Sequence, residues 1–468
     1  MRADDGALSR GAEDELAEAA ASPPEAAAIP PEAAAPTAET SLARVLRYRL
    51  VQWTKIFSAY FSAQSVAQLL GIGAGLLFVN FMPKGEFALY TLAFSVVSFF
   101  HFLTDLGSTS SLVYFRRRAR EQGEVFGDYV AAVLSLRKGL FAVGAVAVLA
   151  GFPLWARSEG FASLDSALAA VAIALAVWFQ LVSSIRLLVL RLHDRYGPSY
   201  RAELLGGALR LVLAGVLVIS ALLHAWLGVL TAAAASALVA WAARDPAGNA
   251  EREPPTTADL APYRRKVVRY LLPTLPSALY FSIQGPLVVW LAATYGGTDN
   301  IAEVGALSRL GMIVGLFSGL VGVVFLPRLA QVSDDRVYLR RYLQYGAFLT
   351  AIALVLLAAS AAVPKAFLFV LGPHYSGLHQ ELLLTVGASG AALVGGYAVA
   401  VNLARSWNRW QAVAVGLLVV AQAVMVATLP LGTTRGVLTF NLLSGLVGLT
   451  TQSTINTLGF WRPRWVQW

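Results

Sequence analysis

The chain has 468 residues, 57% of them hydrophobic and only 13% charged, against roughly 25% charge in soluble domains; a water-soluble core does not absorb that much apolar surface, which leaves a membrane bundle. With no cysteine there is no disulfide framework, thiolate metal site or thiol nucleophile. The net charge of +9 sits between apolar spans, as expected of cytoplasmic loops, and so does not point to nucleic acid.

Residues 1–42 are rich in Ala, Pro and Glu and nearly free of aromatic and branched apolar side chains. Such a segment cannot bury enough surface to fold, and a disordered cytoplasmic tail is expected. It is too acidic for a secretory signal, and no short apolar stretch with a small-residue cleavage site follows.

From Ile56 onward the apolar runs divide into about twelve spans, each near the roughly 20 residues that a 30 Å hydrocarbon layer requires. In the first half these are Ile56 to Phe81, Phe87 to Leu106, Gly139 to Trp155, Ser163 to Ser184, Ala202 to Leu223 and Ala225 to Ala242. In the second they are Tyr270 to Tyr295, Val304 to Leu326, Tyr342 to Val363, Leu378 to Ala404, Trp410 to Leu429 and Val437 to Phe460. The predicted fold is an all-α polytopic bundle.

Charge in the connections tests that division. One set of loops holds Arg44, Arg47 and Arg49, Arg116 to Arg118 and Arg120, Arg191 and Arg195, Arg264 to Lys266, Arg328, Arg336, Arg340 and Arg341, Arg405 and Arg409, and Arg462 and Arg464. The alternating set holds only Lys84, Arg157, Lys365 and Arg435. The bias of Lys and Arg toward cytoplasmic loops puts both termini in the cytoplasm. The longest and most polar connection, with Pro246, Pro254 and Pro255, divides the spans evenly. The expected organisation is a tail over 1–42, a six-helix lobe over 43–243, a cytoplasmic linker over 244–266 and a second six-helix lobe over 267–468. A faint echo between the halves (Glu86 and Glu303 in matching outer loops) suggests parallel repeats.

Ionisable and polar groups inside spans are candidates for function, because an arginine at the bilayer centre costs about 2.5–3.5 kcal/mol on insertion scales. Arg210 lies eight positions into its span and Arg309 five, about 12 Å and 8 Å deep at 1.5 Å per residue. Both are expected on the wall of a central cavity, where guanidinium forks attract an anionic headgroup; a structural ion pair or a snorkelled anchor is the alternative. Gln64 and Gln68 on the first span, and Gln284 on the seventh, are expected to face the bundle interior and to line the same cavity, since uncompensated amides are unfavourable in lipid.

His101 and Asp105, four apart on one helix face, are a candidate proton- or cation-coupling pair. Asp105 can instead close its helix end and meet Arg116 or Arg117. Pro273, Pro276 and Pro286 each delete a helical hydrogen bond, so the seventh span should be kinked, as a static bend or a hinge. Gly311, Gly315 and Gly319 place three missing side chains on one face, for packing or for sliding. No phosphate-cradling loop and no metal-ligand cluster is present, so no cofactor is expected and an enzyme is disfavoured.

The run Asn80-Phe81-Met82-Pro83-Lys84-Gly85-Glu86-Phe87-Ala88-Leu89-Tyr90, with Leu103-Thr104-Asp105-Leu106-Gly107 and Ser111-Leu112-Val113 after it, resembles the opening spans of Wzx-type polysaccharide transporters. That family shares a superfamily (MOP) with MATE drug exporters and lipid II flippases. Leu326-Pro327-Arg328-Leu329-Ala330 and Leu371-Gly372-Pro373-His374-Tyr375 are similar to its later signatures. Two departures stand out. Phe87-Ala88 replaces the usual Tyr-Gly pair, and the first span lacks the arginines of lipid II flippases, which argues against peptidoglycan precursor as cargo.

The resemblance implies two six-helix lobes around a cavity opened alternately to each side of a bacterial inner membrane. Its cargo would be a lipid-linked oligosaccharide, with membrane lipids, a glycan polymerase and glycosyltransferases as partners. A cation-coupled MATE-like multidrug exporter and a non-transporting scaffold of a glycan-synthesis complex are the rival readings.

Overall fold

The computed structural model describes residues 63–193, 195–244, 259–272, 275–330, 332, 334–405, 407 and 410–461. Every regular element among them is helical. The first group of long helices is α1 (Ala63–Phe81), α2 (Lys84–Asp105), α4 (Phe126–Ser158), α5 (Ser163–Leu192), α6 (Tyr196–Ile219) and α7 (Ala225–Ala242). The second is α9 (Leu275–Gly296), α10 (Thr298–Gly315), α11 (Asp335–Ala362), α12 (His379–Ala404), α13 (Gln411–Thr428) and α14 (Thr434–Trp461). Between α2 and α4 lies α3 (Ser108–Gln122), and before α9 lies α8 (Ala261–Leu271).

Ten of these helices are long and apolar enough to cross a membrane by length and composition. α1 has a shorter apolar run, Val66–Phe81. α14 carries the row Thr450, Thr451, Gln452, Ser453, Thr454, Asn456 and Thr457, which dilutes its hydropathy. Its amides turn inward instead: Gln452 and Asn456 are buried, and Asn402 donates to Gln452 Oε1 at 2.9 Å. Large aliphatics are left on the outside, Val143, Leu154, Ile219 and Val355 among them, a surface that lipid covers at no cost and water would not. The chain is a multi-pass membrane protein.

Within each group the fourth and sixth helices pack along one another, α5 on α7 and α12 on α14, and the groups meet chiefly through α2 against α9 and α10. Gly305 makes that last contact close: a Cβ there would run into Thr91 of α2. One continuous core joins both groups at the end of the bundle bearing Lys84, with Phe78, Phe87, Ile173, Ile301, Leu371 and Phe440 all buried in it. Polar contacts reinforce it. Lys84 Nζ lies 3.0 Å from Asp299 and 3.1 Å from Glu303, and Asn80 Nδ2 donates to Val370 O at 2.7 Å.

Three expectations change. The stretch taken as linker is not all linker: residues 245–258 lie outside the described residues, and α8 follows as a helix docked on α3 and α4. The glycines of the eighth span do not share one helix face, because α10 ends at Gly315 and the chain continues through a turn, a short helix Ser318–Leu320 and a π-helical turn Val321–Phe325. The irregular stretch therefore lies in the eighth long helix, while α9 runs unbroken with Pro286 inside it. Pro276 sits in the first turn of α9, where no intrahelical N–H is lost, and Pro273 lies outside the described residues.

Candidate functional site

A cavity of about 630 Å³ lies toward the Arg-rich end, the end away from Lys84. The C-terminal parts of α2, α5 and α7, the N-terminal parts of α1 and α6, and α10 form its walls. Arg210, Arg309, Gln68 and His101 all line it. The Gln64 side chain lies outside the described residues.

The two arginines arrive from different halves of the chain. Helix α6 begins at Tyr196 and α10 at Thr298, earlier than the sequence suggested, which places Arg210 and Arg309 about 21 Å and 16 Å along their helices. Neither can snorkel comfortably to an interface. Both use aromatic faces from one stripe of α2, where Tyr90 and Phe94 are four residues apart with rings 5.8 Å apart. Arg210 Cζ stands 5.2 Å from the Phe94 centroid. Arg309 Cζ stands 5.3 Å from Phe94 and 5.5 Å from Tyr90.

Such cation–π contacts offset part of the desolvation of a guanidinium without neutralising it. Arg210 Nη2 also donates to the Tyr90 hydroxyl at 3.2 Å. Arg309 is only 4% exposed, and among the described residues neither arginine pairs with a carboxylate. Their Nε atoms are buried and meet no acceptor. Helix α1 makes room for both: a Cβ at Gly71 would come 3.9 Å from Arg210 Nη1, and one at Gly75 would come 3.3 Å from Arg309 Cδ.

The cavity also holds a carboxylate, Glu203, but it is held by Arg191 at 2.7 Å. Glu203 is therefore an ion-paired part of the wall. The cationic character of the chamber is left standing, a polarity suited to anions.

His101 and Asp105 are separated in role. His101 faces the cavity with Nδ1 buried and unpartnered. Asp105 forms an ion pair with Arg137, which is 2% exposed. Arg137 did not stand out in the sequence because it lies in the polar first turns of α4; the side chain of Arg117, one of the partners expected from sequence, lies outside the described residues. The guanidinium donates also to Ser108 Oγ at 2.6 Å, Thr109 Oγ1 at 2.7 Å and Ser184 Oγ at 3.1 Å. A tight reversal brings these groups together. Leu106 and Gly107 both take left-handed backbone, φ 41° and 80°, which ends α2 and starts α3 within two residues.

Gln284 is not in the arginine cavity. It lines a second, smaller one of about 210 Å³ between α9, α12, α13 and α14. There Gln422 Nε2 donates to Gln284 Oε1 at 2.9 Å, and the Tyr280 hydroxyl donates to the same oxygen at 2.5 Å. Gln452, also in this wall, and Gln422, bonded to Gln284, have no place in the sequence reading; the rule that amides inside apolar spans turn inward finds both. Among the aromatics, Trp290 donates to Ser95 Oγ at 3.1 Å and Tyr397 is buried against Tyr342. These two belong to internal packing.

Neither a scan against protein-family models nor a search of curated proteins finds a match to the chain. Solved structures do match in fold. The lipid II flippase MurJ in an inward closed conformation aligns with TM-score 0.61 at 12% identity, over 85% of this chain and 87% of that one. A Vibrio cholerae MATE transporter, VcmN, aligns with TM-score 0.61 at 14% identity, over 86% and 96%. An inward-facing MATE family transporter of the MOP superfamily aligns with TM-score 0.56 at 17% identity, over 84% and 95%. The chain thus has the MATE/MOP-like polytopic helical transporter fold, and these neighbours are transporters and flippases.

Proposed function

We propose that this chain is an alternating-access flippase that carries a polyprenyl-diphosphate-linked oligosaccharide outward across a bacterial cytoplasmic membrane. The observation that carries the reading is the pair Arg210 and Arg309, drawn from the two halves onto one cavity with no carboxylate partner. A diphosphate presents acceptor oxygens that guanidinium forks bind by charge-assisted hydrogen bonds. In a chamber walled by lipid-embedded helices those bonds are screened little. The Arg-rich end is cytoplasmic on this reading, so the cavity faces the side where the precursor is made.

The joined core around Lys84, Asp299 and Glu303 is then the closed outer gate. His101 on the cavity wall is the residue best placed for coupling, with Asp105 and Arg137 fixing the helix that bears it. The interrupted stretch after Gly315 and the Pro286 turn of α9 are the candidate hinges. Glycosyltransferases that build the precursor and a polymerase that consumes it are the partners such a step requires.

A MATE-like exporter of organic cations shares the fold but calls for an unpaired acidic group in the cavity, and the cavity carboxylate Glu203 is held by Arg191. The test is translocation of the native precursor by reconstituted proteoliposomes. Arg210→Ala and Arg309→Ala are each expected to abolish it while leaving folding intact. Unchanged translocation in both variants defeats the proposal, and extrusion of organic cations by the unmodified chain favours the exporter.

A further inference from the structure

Away from the cavity, α8 presents two faces of different chemistry. Tyr263, Val267 and Tyr270, at positions i, i+4 and i+7, pack with Phe115, Tyr129 and Val133 of α3 and α4. The stripe Arg265, Val268, Arg269 and Leu272, at i, i+3, i+4 and i+7, is exposed, Val268 to 46% and Leu272 to 62%. Among the described residues neither Arg265 nor Arg269 pairs with a carboxylate. Two bare aliphatics alternating with two unpaired arginines suit neither water nor a hydrocarbon interior; they suit the level where acyl chains meet phosphates.

The depth of α8 agrees. α4 has 33 residues, about 50 Å at 1.5 Å per residue, some 20 Å more than the hydrocarbon layer. Its apolar run starts after Lys138, so its first turns stand outside that layer, and α8 is fastened to them. Arg264 Nε donates to Ser135 Oγ at 2.8 Å, and the Tyr263 ring meets Tyr129 at 5.0 Å. Ser135 and Tyr129 lie about 6 Å and 15 Å outside Gly139 along the helix, and a headgroup layer is about 5–7 Å thick. α8 therefore descends through the headgroups, and three residues past Leu272 the chain enters α9 at Leu275.

We propose that the Arg265–Leu272 stripe of α8 is a binding surface for anionic phospholipid headgroups in the leaflet at the Arg-rich end. Arg265 and Arg269 take the phosphates, while Val268 and Leu272 rest on the acyl boundary. Anionic lipids are the favoured occupant because no acidic side chain of the stripe offsets its charge, whereas zwitterionic lipids bring a cation with each phosphate. The surface is independent of what the cavity carries.

The absence of cysteine from the chain allows Val268→Cys to carry a single fluorophore on the full-length protein in nanodiscs. Quenching by spin-labelled phosphatidylglycerol is compared with quenching by spin-labelled phosphatidylcholine. Each basic residue near an anionic surface contributes about fivefold, so a preference of up to about thirtyfold for phosphatidylglycerol is expected. It should collapse in about 0.5 M salt, where the Debye length falls to about 4 Å.

Arg265→Gln with Arg269→Gln should bring the ratio close to one, and Arg265→Lys with Arg269→Lys, which keeps the charge, should retain it. Equal quenching by both lipids overturns the proposal, as does a preference that survives the glutamine pair. A response to a soluble acidic polypeptide without one to phosphatidylglycerol assigns the stripe to a protein partner and also overturns it.

Discussion

Arg210 and Arg309 approach the same Phe94 ring, at 5.2 and 5.3 Å, from helices in opposite halves of the chain. Two like charges converging on one aromatic ring in a low-dielectric chamber repel one another. An anion bridging them removes the conflict. Phe94→Leu keeps the apolar bulk and removes the ring quadrupole, worth about 0.5–2 kcal/mol per cation. Affinity for inorganic diphosphate, measured by calorimetry, is expected to change by about tenfold or less, and to vanish only in Arg210→Ala or Arg309→Ala.

The glycines of α1 set a graded steric test. A Cβ at Gly75 would press on Arg309 Cδ at 3.3 Å, whereas one at Gly71 reaches Arg210 only at 3.9 Å. Gly75→Val should push the Arg309 guanidinium off its rings, with overpacking costing about 1–3 kcal/mol, and impair transport nearly as much as loss of the arginine. Gly71→Ala should be tolerated. Transport rates in proteoliposomes, set beside thermal melts in detergent, separate a displaced arginine from a misfolded chain.

Arg137 and Asp105 form the buried ion pair at the base of α2. Removing one partner strands the other charge, at a cost of about 3–5 kcal/mol. Arg137→Leu should lower the midpoint of thermal unfolding sharply. The double variant Arg137→Leu with Asp105→Leu should recover much of the loss, since no lone charge remains. A double variant no more stable than the single one shows instead that the hydroxyls of Ser108, Thr109 and Ser184 depend on the guanidinium.

The spans were legible because hydrocarbon thickness imposes one length on every crossing: Ala225 to Ala242 was read residue for residue, and α12 to within one. Polar ends of helices were not, since a helix that overruns the bilayer leaves no apolar signal there. That is why Arg137 was passed over and why Arg309 seemed shallow. α8 was hidden in a linker read for its charge, although Tyr263, Val267 and Tyr270 already carried a helical period. Gln284 was correctly turned inward but grouped with the wrong cavity, because inwardness is a property of one helix and a cavity belongs to several. The break after Gly315 has no local counterpart in sequence to the prolines that drew attention to α9.

The contact between Glu124 and Lys266 at the Arg-rich end carries a pH dependence. The ammonium of Lys266, 2.5 Å from Glu124 Oε1, and then the Tyr129 hydroxyl hold the Glu124 carboxyl below its ordinary range. A carboxylate whose folded pKa is depressed lends stability above its unfolded value, near 4.5, and loses it as pH falls through the lower folded value. The partners are partly exposed, so the effect is small. Hydrogen exchange along Ala261–Leu271 should speed up on acidification below about pH 4.5, and Glu124→Gln should show the faster exchange already at neutral pH.

Lys84 bridges Asp299 and Glu303 across the two halves at the closed end of the bundle. Glu303 is further fixed by Thr434, whose hydroxyl donates at 2.6 Å, so one carboxylate ties α2, α10 and α14 together. Exposed pairs of this kind contribute about 0–1 kcal/mol, too little to decide whether the chain folds. A transporter exchanging two arrangements separated by a few kcal/mol is sensitive to that amount. Glu303→Gln should therefore leave the melting temperature nearly unchanged while raising the population opened at this end. Ser95, 7% exposed and bonded to Trp290, supplies the reporter: Ser95→Cys should react slowly with a membrane-impermeant maleimide, and several times faster when combined with Glu303→Gln. Equal rates in the two backgrounds would mean that the apolar core around Phe87 and Phe440, and not the Lys84 bridge, holds this end shut.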